Sequence, residues 1–195
     1  MEQLTLEGIH TRLTKVEQDI AHIYQEQRNT AGQSINQKPK VSIYADGSAI
    51  SNPNGPGGYG TIVVYEDAKR KHTKEYSGGF KKSTNNRMEI MGVIIGMETL
   101  NRPCEVSVYS DSQYLVNTFE KGWIDKWMKN NWKRSPSGGK PVKNVDLWKR
   151  LLQAIKPHNV RFHWVKGHDG HPENERCDTL AKQAARSKKL QIDKF

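Results

Sequence analysis

The first clear hydrophobic pattern lies in residues 4–28. Apolar residues recur there at alternating intervals of three and four, which predicts an amphipathic helix of the coiled-coil type within residues 1–28. The stripe consists of Leu6, Ile9, Leu13, Val16, Ile20 and Ile23. It is short for a stable isolated coiled coil. Three roles therefore stay open: self-association or partner binding, packing on the rest of the chain, and fraying free.

A polar segment, residues 29–40, follows and contains Gly32 and Pro39, so we predict a flexible linker. The pattern then changes to that of a folded domain, which we expect to span residues 41–190. Short β-rich runs separated by turn residues predict an antiparallel meander of strands at 41–45, 61–65 and 71–78.

Helical and strand-like segments alternate in the second half of the chain. Apolar residues at helical spacing predict helices that begin near residues 88, 112, 145 and 173, and β-rich runs predict strands at 106–110 and 160–165. A meander followed by this alternation is typical of an α/β domain with a mixed sheet.

Two of the predicted strands lead directly into an acid, Asp46 in one case and Asp111 in the other. Ligand sites of α/β sheets gather at the carboxyl ends of strands, so parallel neighbours would place these two side chains together. Like charges held that close repel unless a cation such as Mg²⁺ neutralises them. The alternative for each Asp is a helix cap or turn, and the alternatives for Glu89 and Asp178 are a helix-dipole contact and a solvated helix position.

The net charge of +10 lies wholly in residues 41–195, because residues 1–40 contain five acids and five bases. Residues 121–150 carry nine Lys and Arg against two Asp, with Trp123, Trp127 and Trp132 interleaved. We predict a basic helix protrusion at about 121–143 that binds a polyanion backbone without sequence preference. The alternatives are a solubilising surface and, for the tryptophans, a small core.

Five motifs occur in order along the chain: Y-A-D-G-S, N-x-x-G-P-G-G-Y-G, T-N-N-R-M-E, Y-S-D-S-Q-Y and W-V-K-G-H-x-G-H-P-E-N-E-R-C-D. Together they closely resemble ribonuclease H of the bacterial type 1 class over roughly residues 41–186. The resemblance implies a five-stranded mixed sheet, with three antiparallel and two parallel strands, flanked by helices. Here this α/β domain would be preceded by the short N-terminal helix.

The resemblance also implies an activity: endonucleolytic hydrolysis of the RNA strand of RNA–DNA hybrids by two metal ions, without strong sequence specificity. The products would carry 5′-phosphate and 3′-hydroxyl ends. The implied ligands of two Mg²⁺ ions, with Mn²⁺ as a substitute, are Asp46, Glu89, Asp111 and Asp178, and His168 would assist turnover. The expected hybrid-contacting residues are Asn52, Thr84, Asn85, Asn86, Gln113, Trp123, Lys126, Trp127, Lys129, Trp132 and Lys133.

The match to the family pattern has departures. The loop that begins at Asn52 is one residue longer than the common form, Ala49 stands where relatives often have Cys, and the sequence of residues 135–139, Ser-Pro-Ser-Gly-Gly, predicts an unusually flexible tip. These departures bear on substrate detail. Two other functions are weighed against the enzyme: a protein that grips hybrids without cutting, and a transposase-like or junction nuclease with a related sheet.

Cys104 and Cys177 have no CxxC partner, which favours buried thiols in a reducing compartment over a single disulfide. No apolar run is long enough to span a bilayer, and the chain opens without a secretory signal pattern. We therefore expect a cytoplasmic protein without membrane contact. Its catalytic domain is expected to be monomeric, with self-association through residues 6–23 as the alternative.

Overall fold

The computed structural model describes residues 38–53, 55–66, 70–137, 139–167 and 169–193. Its strands are β1 (Lys40–Ala49), β2 (Gly57–Glu66), β3 (Lys71–Phe80), β4 (Glu105–Ser110) and β5 (Asn159–Trp164). Its helices are α1 (Asn85–Glu98), α2 (Gln113–Glu120), α3 (Trp123–Lys129), α4 (Val145–Ile155) and α5 (Pro172–Ala185). The helix predicted within residues 1–28 lies outside the described residues.

The strands form one mixed sheet in the order β3-β2-β1-β4-β5. β1, β2 and β3 pair antiparallel, whereas β4 is parallel both to β1 and to β5. This confirms the predicted sheet of three antiparallel and two parallel strands. The central position of β1 places its residues within reach of both halves of the sheet.

Three strand ends were predicted wrongly. β2 begins at Gly57 and not at residue 61, because its first residues pair with both β1 and β3. β1 continues past Asp46 to Ala49, because its second half still pairs with β2 after the pairing with β4 has stopped at Tyr44. β3 continues to Phe80, and its glycines pair with the start of β2 instead of ending the strand. In all three places the neighbouring strand, which local sequence does not reveal, decides where the strand begins or ends.

The sheet packs helices on both faces because successive side chains point to opposite sides. Val41, Ile43 and Ala45 of β1 enter the main core, together with α1 and with buried Trp148 and Leu151 of α4. On the other face, α5 covers a smaller cluster of Ile62, Val64, Cys177 and Leu180, with Tyr44 packed against it. Asp46 is on this second face, since it lies two residues after Tyr44.

The C-terminal segment returns to the sheet and to the start of α1. Gln191 forms a parallel bridge with Phe80 and exchanges backbone hydrogen bonds with Gly79 and Lys81, each 2.8 Å long. Beyond it, Asp193 accepts hydrogen bonds from Ser83 and from the buried guanidinium of Arg87, all at 2.7 Å. Arg87 belongs to the first turn of α1. Its contact with Asp193 therefore holds the N-terminal end of this helix, which also carries Glu89.

The basic segment is only partly helical. α3 ends at Lys129, and the following residues form an irregular loop closed by a bridge between Lys133 and Pro141. Asn131 and Trp132 adopt positive φ values of 50° and 60°, which a continuing helix would not allow. The predicted helix protrusion at 121–143 is therefore one short helix followed by a loop.

Cys104 and Cys177 are both buried free thiols, which confirms the prediction of buried thiols in place of a disulfide. The helices of the described part of the chain include none with the length and apolar character needed to cross a membrane.

Candidate active site

Asp46 and Asp111 converge through strand register. Tyr44 and Tyr109 are the last aligned pair of β1 and β4, and their rings stack on the same face at a centroid distance of 4.9 Å. Two residues further along each chain, on that same face, come Asp46 and Asp111. The predicted juxtaposition follows from the parallel pairing, although Asp46 lies inside its strand.

Glu89 reaches this place because α1 approaches β1 without an intervening side chain. A Cβ atom on Gly47 would stand 2.2 Å from the backbone nitrogen of Glu89, so only glycine fits there. The carboxylate of Glu89 accepts a hydrogen bond from the hydroxyl of Ser112, the residue after Asp111. Glu89 lies beyond the first turn of α1, which contains no acid, so the helix-dipole alternative does not apply.

Asp178 lies on α5, the helix that packs on the second face of the sheet. Its neighbour Cys177 is fully buried and donates from Sγ to the backbone oxygen of Tyr44 at 3.3 Å, which presses this turn of the helix against β1. Asp178 itself is partly exposed and accepts a 2.7 Å hydrogen bond from Lys182, one helical turn later. The negative charge of Asp178 contributes to the raised pKa of Asp46, which places it in the same electrostatic cluster.

Burial and mutual repulsion raise the pKa values of two carboxylates of this acidic cluster, Asp46 and Glu89. Burial raises the pKa of Asp46 to about 7, with repulsion from Asp111, Asp178 and Glu89 acting in the same direction and the backbone N–H of Gly47 opposing it. Burial also raises the pKa of Glu89, against the effect of the Ser112 hydroxyl. Buried carboxylates with raised pKa values that lie close to one another are typical of functional sites, and a bound cation would neutralise their mutual repulsion.

The donor set fits a hard divalent cation. The four carboxylates offer oxygen alone, and the buried Oδ1 of nearby Asn174 has no hydrogen-bond partner among the described residues. Mg²⁺ and Mn²⁺ prefer such oxygen ligands. Within the described ranges, no three His, Cys, Asp or Glu side chains are arranged closely enough to hold a metal ion as they stand.

The polar residues predicted to read the hybrid occupy loops and helix starts around these acids. Thr84 caps α1 by accepting from the N–H of Arg87 at 3.3 Å, and Asn85 accepts from the N–H of Ala49 at 2.6 Å. These two side chains therefore have structural duties as well. Asn52, Asn86 and Gln113 are at least partly exposed.

The basic segment presents three lysines outward and packs two of its tryptophans against the main core. Lys126, Lys129 and Lys133 are at least partly exposed. Trp127 lies 5.9 Å from Trp148 between ring centroids, and Trp132 also packs against the main core. A surface cleft of about 500 Å³ separates α2 from this segment and is lined by Tyr114, Trp123, Lys126, Trp127, Arg134, Val142 and Lys143.

Sequence reasoning missed several residues around the acids. Ser112 and Asn174 were quoted only as parts of motifs, and Lys182 was not singled out, yet each contacts a carboxylate of the cluster. A helical spacing of four, Asn174 to Asp178 to Lys182, was the available signal. His168 lies outside the described residues.

A mixed five-stranded sheet, with Asp46 inside its central strand and Asp111 directly after the neighbouring parallel strand, is the arrangement of the ribonuclease H fold. The crystal structure of LC9-RNase H1, a type 1 RNase H with the type 2 active-site motif, is similar with a TM-score of 0.67 and 33% identity, covering 76% of this chain and 73% of that one.

The family model for RNase H matches residues 38–186. A ribonuclease H of Lachnoclostridium phytofermentans is 61% identical over 147 residues, which are 75% of this chain and 92% of that protein. A ribonuclease H of Desulforamulus reducens is 51% identical over 154 residues, 79% of this chain and 92% of that protein. The chain belongs to the ribonuclease H family.

Proposed function

We propose that the protein is an endonuclease that hydrolyses the RNA strand of RNA–DNA hybrids, leaving 5′-phosphate and 3′-hydroxyl ends. The observation that carries this proposal is that Asp46 and Asp111 follow the last aligned β1–β4 pair by two residues each, and that the charge of Asp111 helps to raise the pKa of Asp46. Family membership supplies the reaction class, and these carboxylates supply chemistry that fits it.

The proposed cation ligands are Asp46, Glu89, Asp111 and Asp178, and the cation is Mg²⁺, with Mn²⁺ as a substitute. Bound divalent ions would activate a water and neutralise charge that develops on the phosphate. The protein's own contribution is orientation: Ser112 holds the Glu89 carboxylate, and the close contact at Gly47 fixes α1 against β1. His168 is proposed as a proton carrier, on the strength of its K-G-H motif.

Hybrid recognition divides into two parts. Discriminating RNA from DNA requires groups that both donate to and accept from a 2′-hydroxyl, and the amides of Asn52, Asn86 and Gln113 can do both. Lys126, Lys129 and Lys133 would bind the phosphates of the DNA strand, since phosphate contacts carry affinity without sequence information. Trp123 is the tryptophan of this segment that is neither buried nor part of the main core, so it is the best placed for a nucleotide contact.

The decisive experiment compares a labelled RNA–DNA hybrid, duplex DNA and duplex RNA, each with and without Mg²⁺. We expect cleavage of the RNA strand of the hybrid alone, dependent on Mg²⁺, with ends that a ligase accepts as 5′-phosphate and 3′-hydroxyl. D46N should abolish it. E105Q, which changes an exposed acid at the start of β4, serves as the matched control.

The same assay separates the alternatives. Tight hybrid binding by the unaltered protein without cleavage would identify a binding protein. Cleavage of duplex DNA would favour the transposase-like or junction nuclease. Full activity of D46N would remove the basis for the proposed acidic site.

Self-association through residues 6–23 and a cytoplasmic location remain proposals. The heptad stripe supports the first, and two free buried thiols support a reducing compartment. We expect the full chain to elute as a dimer in size-exclusion chromatography at micromolar concentration. Removal of residues 1–38 should yield a monomer with unchanged hybrid cleavage, whereas a full-length monomer would contradict the idea.

A further inference from the structure

Asn174 is a buried amide next to the acidic cluster whose two ends have unequal partners. The residue is 3% exposed and lies in the first turn of α5, one turn before Asp178. Its Nδ2 donates to Oδ2 of Asp111 across a long hydrogen bond of 3.5 Å. Its Oδ1 is buried and accepts from no group among the described residues.

An unused buried acceptor is costly, so such a group is retained only where something satisfies it. The carbonyl end of Asn174 belongs to a site of oxygen donors, in which a hydrated cation would bring water molecules with hydrogens to donate. Mg²⁺ in particular keeps several of its waters when it binds to proteins. The acceptor is therefore matched to a water of the bound cation.

The donor end constrains Asp111. An amide stays neutral and always donates, so it favours one orientation of the carboxylate at any pH. From another direction, a Cβ atom on Gly167 would lie 2.7 Å from the same Oδ2 atom, which shows how closely the backbone encloses it. Oδ2 thus accepts a hydrogen bond from Asn174 on one side and has the Gly167 backbone close to it on another, so Oδ1 is the less encumbered oxygen of Asp111.

We infer that Asn174 is a positioning residue of the metal site: it orients Asp111 through Nδ2 and accepts a hydrogen bond from a cation-bound water through Oδ1. The inference rests on the proposed function, since it assumes that the acidic cluster takes a divalent cation. Partners of this kind, which hold a ligand without touching the metal, change metal affinity by about 10–100-fold when they are removed.

The test measures Mg²⁺ binding by calorimetry on the full chain without nucleic acid. N174L keeps the volume of the side chain and removes both polar ends, whereas N174S is a smaller change in case the leucine variant does not fold. We expect both to bind Mg²⁺ about 10–100-fold more weakly. The matched control is Q183L, an exposed amide of the same helix, which should bind as the unaltered protein does.

Two further measurements distinguish positioning from simple packing. A residue that matters only for folding would change the unfolding temperature in EDTA but not the Mg²⁺ affinity. For N174L we expect weaker Mg²⁺ binding without a fall in the unfolding temperature in EDTA, because leucine removes a buried unsatisfied acceptor. In steady-state cleavage, kcat at fixed Mg²⁺ should fall while KM for the hybrid stays unchanged.

Mg²⁺ affinity equal to that of the unaltered protein in both N174L and N174S would overturn the inference, and so would an unaltered protein that binds no Mg²⁺. Failure of the proposed function looks different. In that case the unaltered protein leaves the hybrid uncut, while Mg²⁺ binding and its loss in N174L are still measured.

Discussion

At the scale of single residues, Asp46 combines burial with three neighbouring acids. It is 8% exposed, and its carboxylate accepts from the N–H of Gly47 at 2.6 Å. With a pKa of about 7, a large share of Asp46 carries a proton at neutral pH when no cation is bound. Cation binding would release that proton, so metal affinity should rise with pH.

The first prediction concerns the pH dependence of stability in EDTA. Because folding raises the pKa of Asp46 from 3.8 to about 7, the folded state holds a proton across that range that the unfolded state has released. The free energy of unfolding should therefore fall as the pH rises from about 4 to about 7, by at most about 1.4 kcal/mol for each pH unit. Thermal or urea unfolding between pH 4 and 8 measures it.

D46N should make this slope shallower and stabilise the metal-free protein at pH 8. Some slope should remain, because the pKa of Glu89 is raised as well. D169N, which alters an exposed acid, should retain the full slope. An equal slope in D46N and the unaltered protein would show that Asp46 does not titrate in this range.

At the scale of elements, the segment from α3 to Pro141 uses different side chains for packing against the core and for presenting positive charge to solvent. Trp127 and Trp132 fix it to the main core, and the Lys149 ammonium lies 5.7 Å from the ring centroid of Trp132. The outward lysines Lys126 and Lys129 belong to no part of that core, so they can be replaced without disturbing it. Stability and nucleic-acid affinity should therefore respond to different residues of this segment.

The second prediction is that joint replacement of Lys126, Lys129 and Lys133 by Ala weakens hybrid binding and flattens its salt dependence. Each lost phosphate contact should reduce the slope of log K against log salt by about 1. Binding is measured by fluorescence anisotropy at several salt concentrations, in EDTA to prevent cleavage. The matched control replaces three exposed lysines elsewhere, Lys74, Lys188 and Lys189, and an equal loss of slope there would refute a local role.

At the scale of the whole molecule, the C-terminal segment joins distant parts of the domain. The guanidinium of Arg87 contacts Asp193 near the chain end and Asp146 at the start of α4. The side chains of Arg87 and Asp193 are each 3% exposed, whereas that of Asp146 is 45% exposed. Asp193 is thus the partner whose loss would leave buried charge least compensated.

The third prediction is that D193A lowers the free energy of unfolding by about 3 kcal/mol, because the buried Arg87 charge loses its buried carboxylate partner and keeps the more exposed Asp146. Urea unfolding at pH 7 measures the change. D169A is the control, since its ion pair with Lys166 is exposed and should contribute at most about 1 kcal/mol. Similar losses in the two variants would mean that burial of the Arg87–Asp193 pair does not increase its contribution to the free energy of unfolding.

The sequence alone determined the order and type of the elements, the positions of the four acids and the basic segment. Local patterns predict these features: β-rich runs between turn residues for strands, helical spacing of apolar residues for helices, and motifs a few residues long for the acids. The family resemblance supplied the sheet topology in advance, and the structure confirmed it. Strand ends were the weak point, as the extension of β1 from Asp46 to Ala49 illustrates.

Only the tertiary structure decided which side chains meet. Asn174 and Asp111 are 63 residues apart, Ser112 and Glu89 are 23 apart, and Asp193 and Arg87 are 106 apart. No local period encodes such pairs, because they depend on how helices settle on the sheet and on how closely glycine lets backbones approach. Burial, and with it the raised pKa of Asp46, is likewise a property of the packed domain and not of any segment of it.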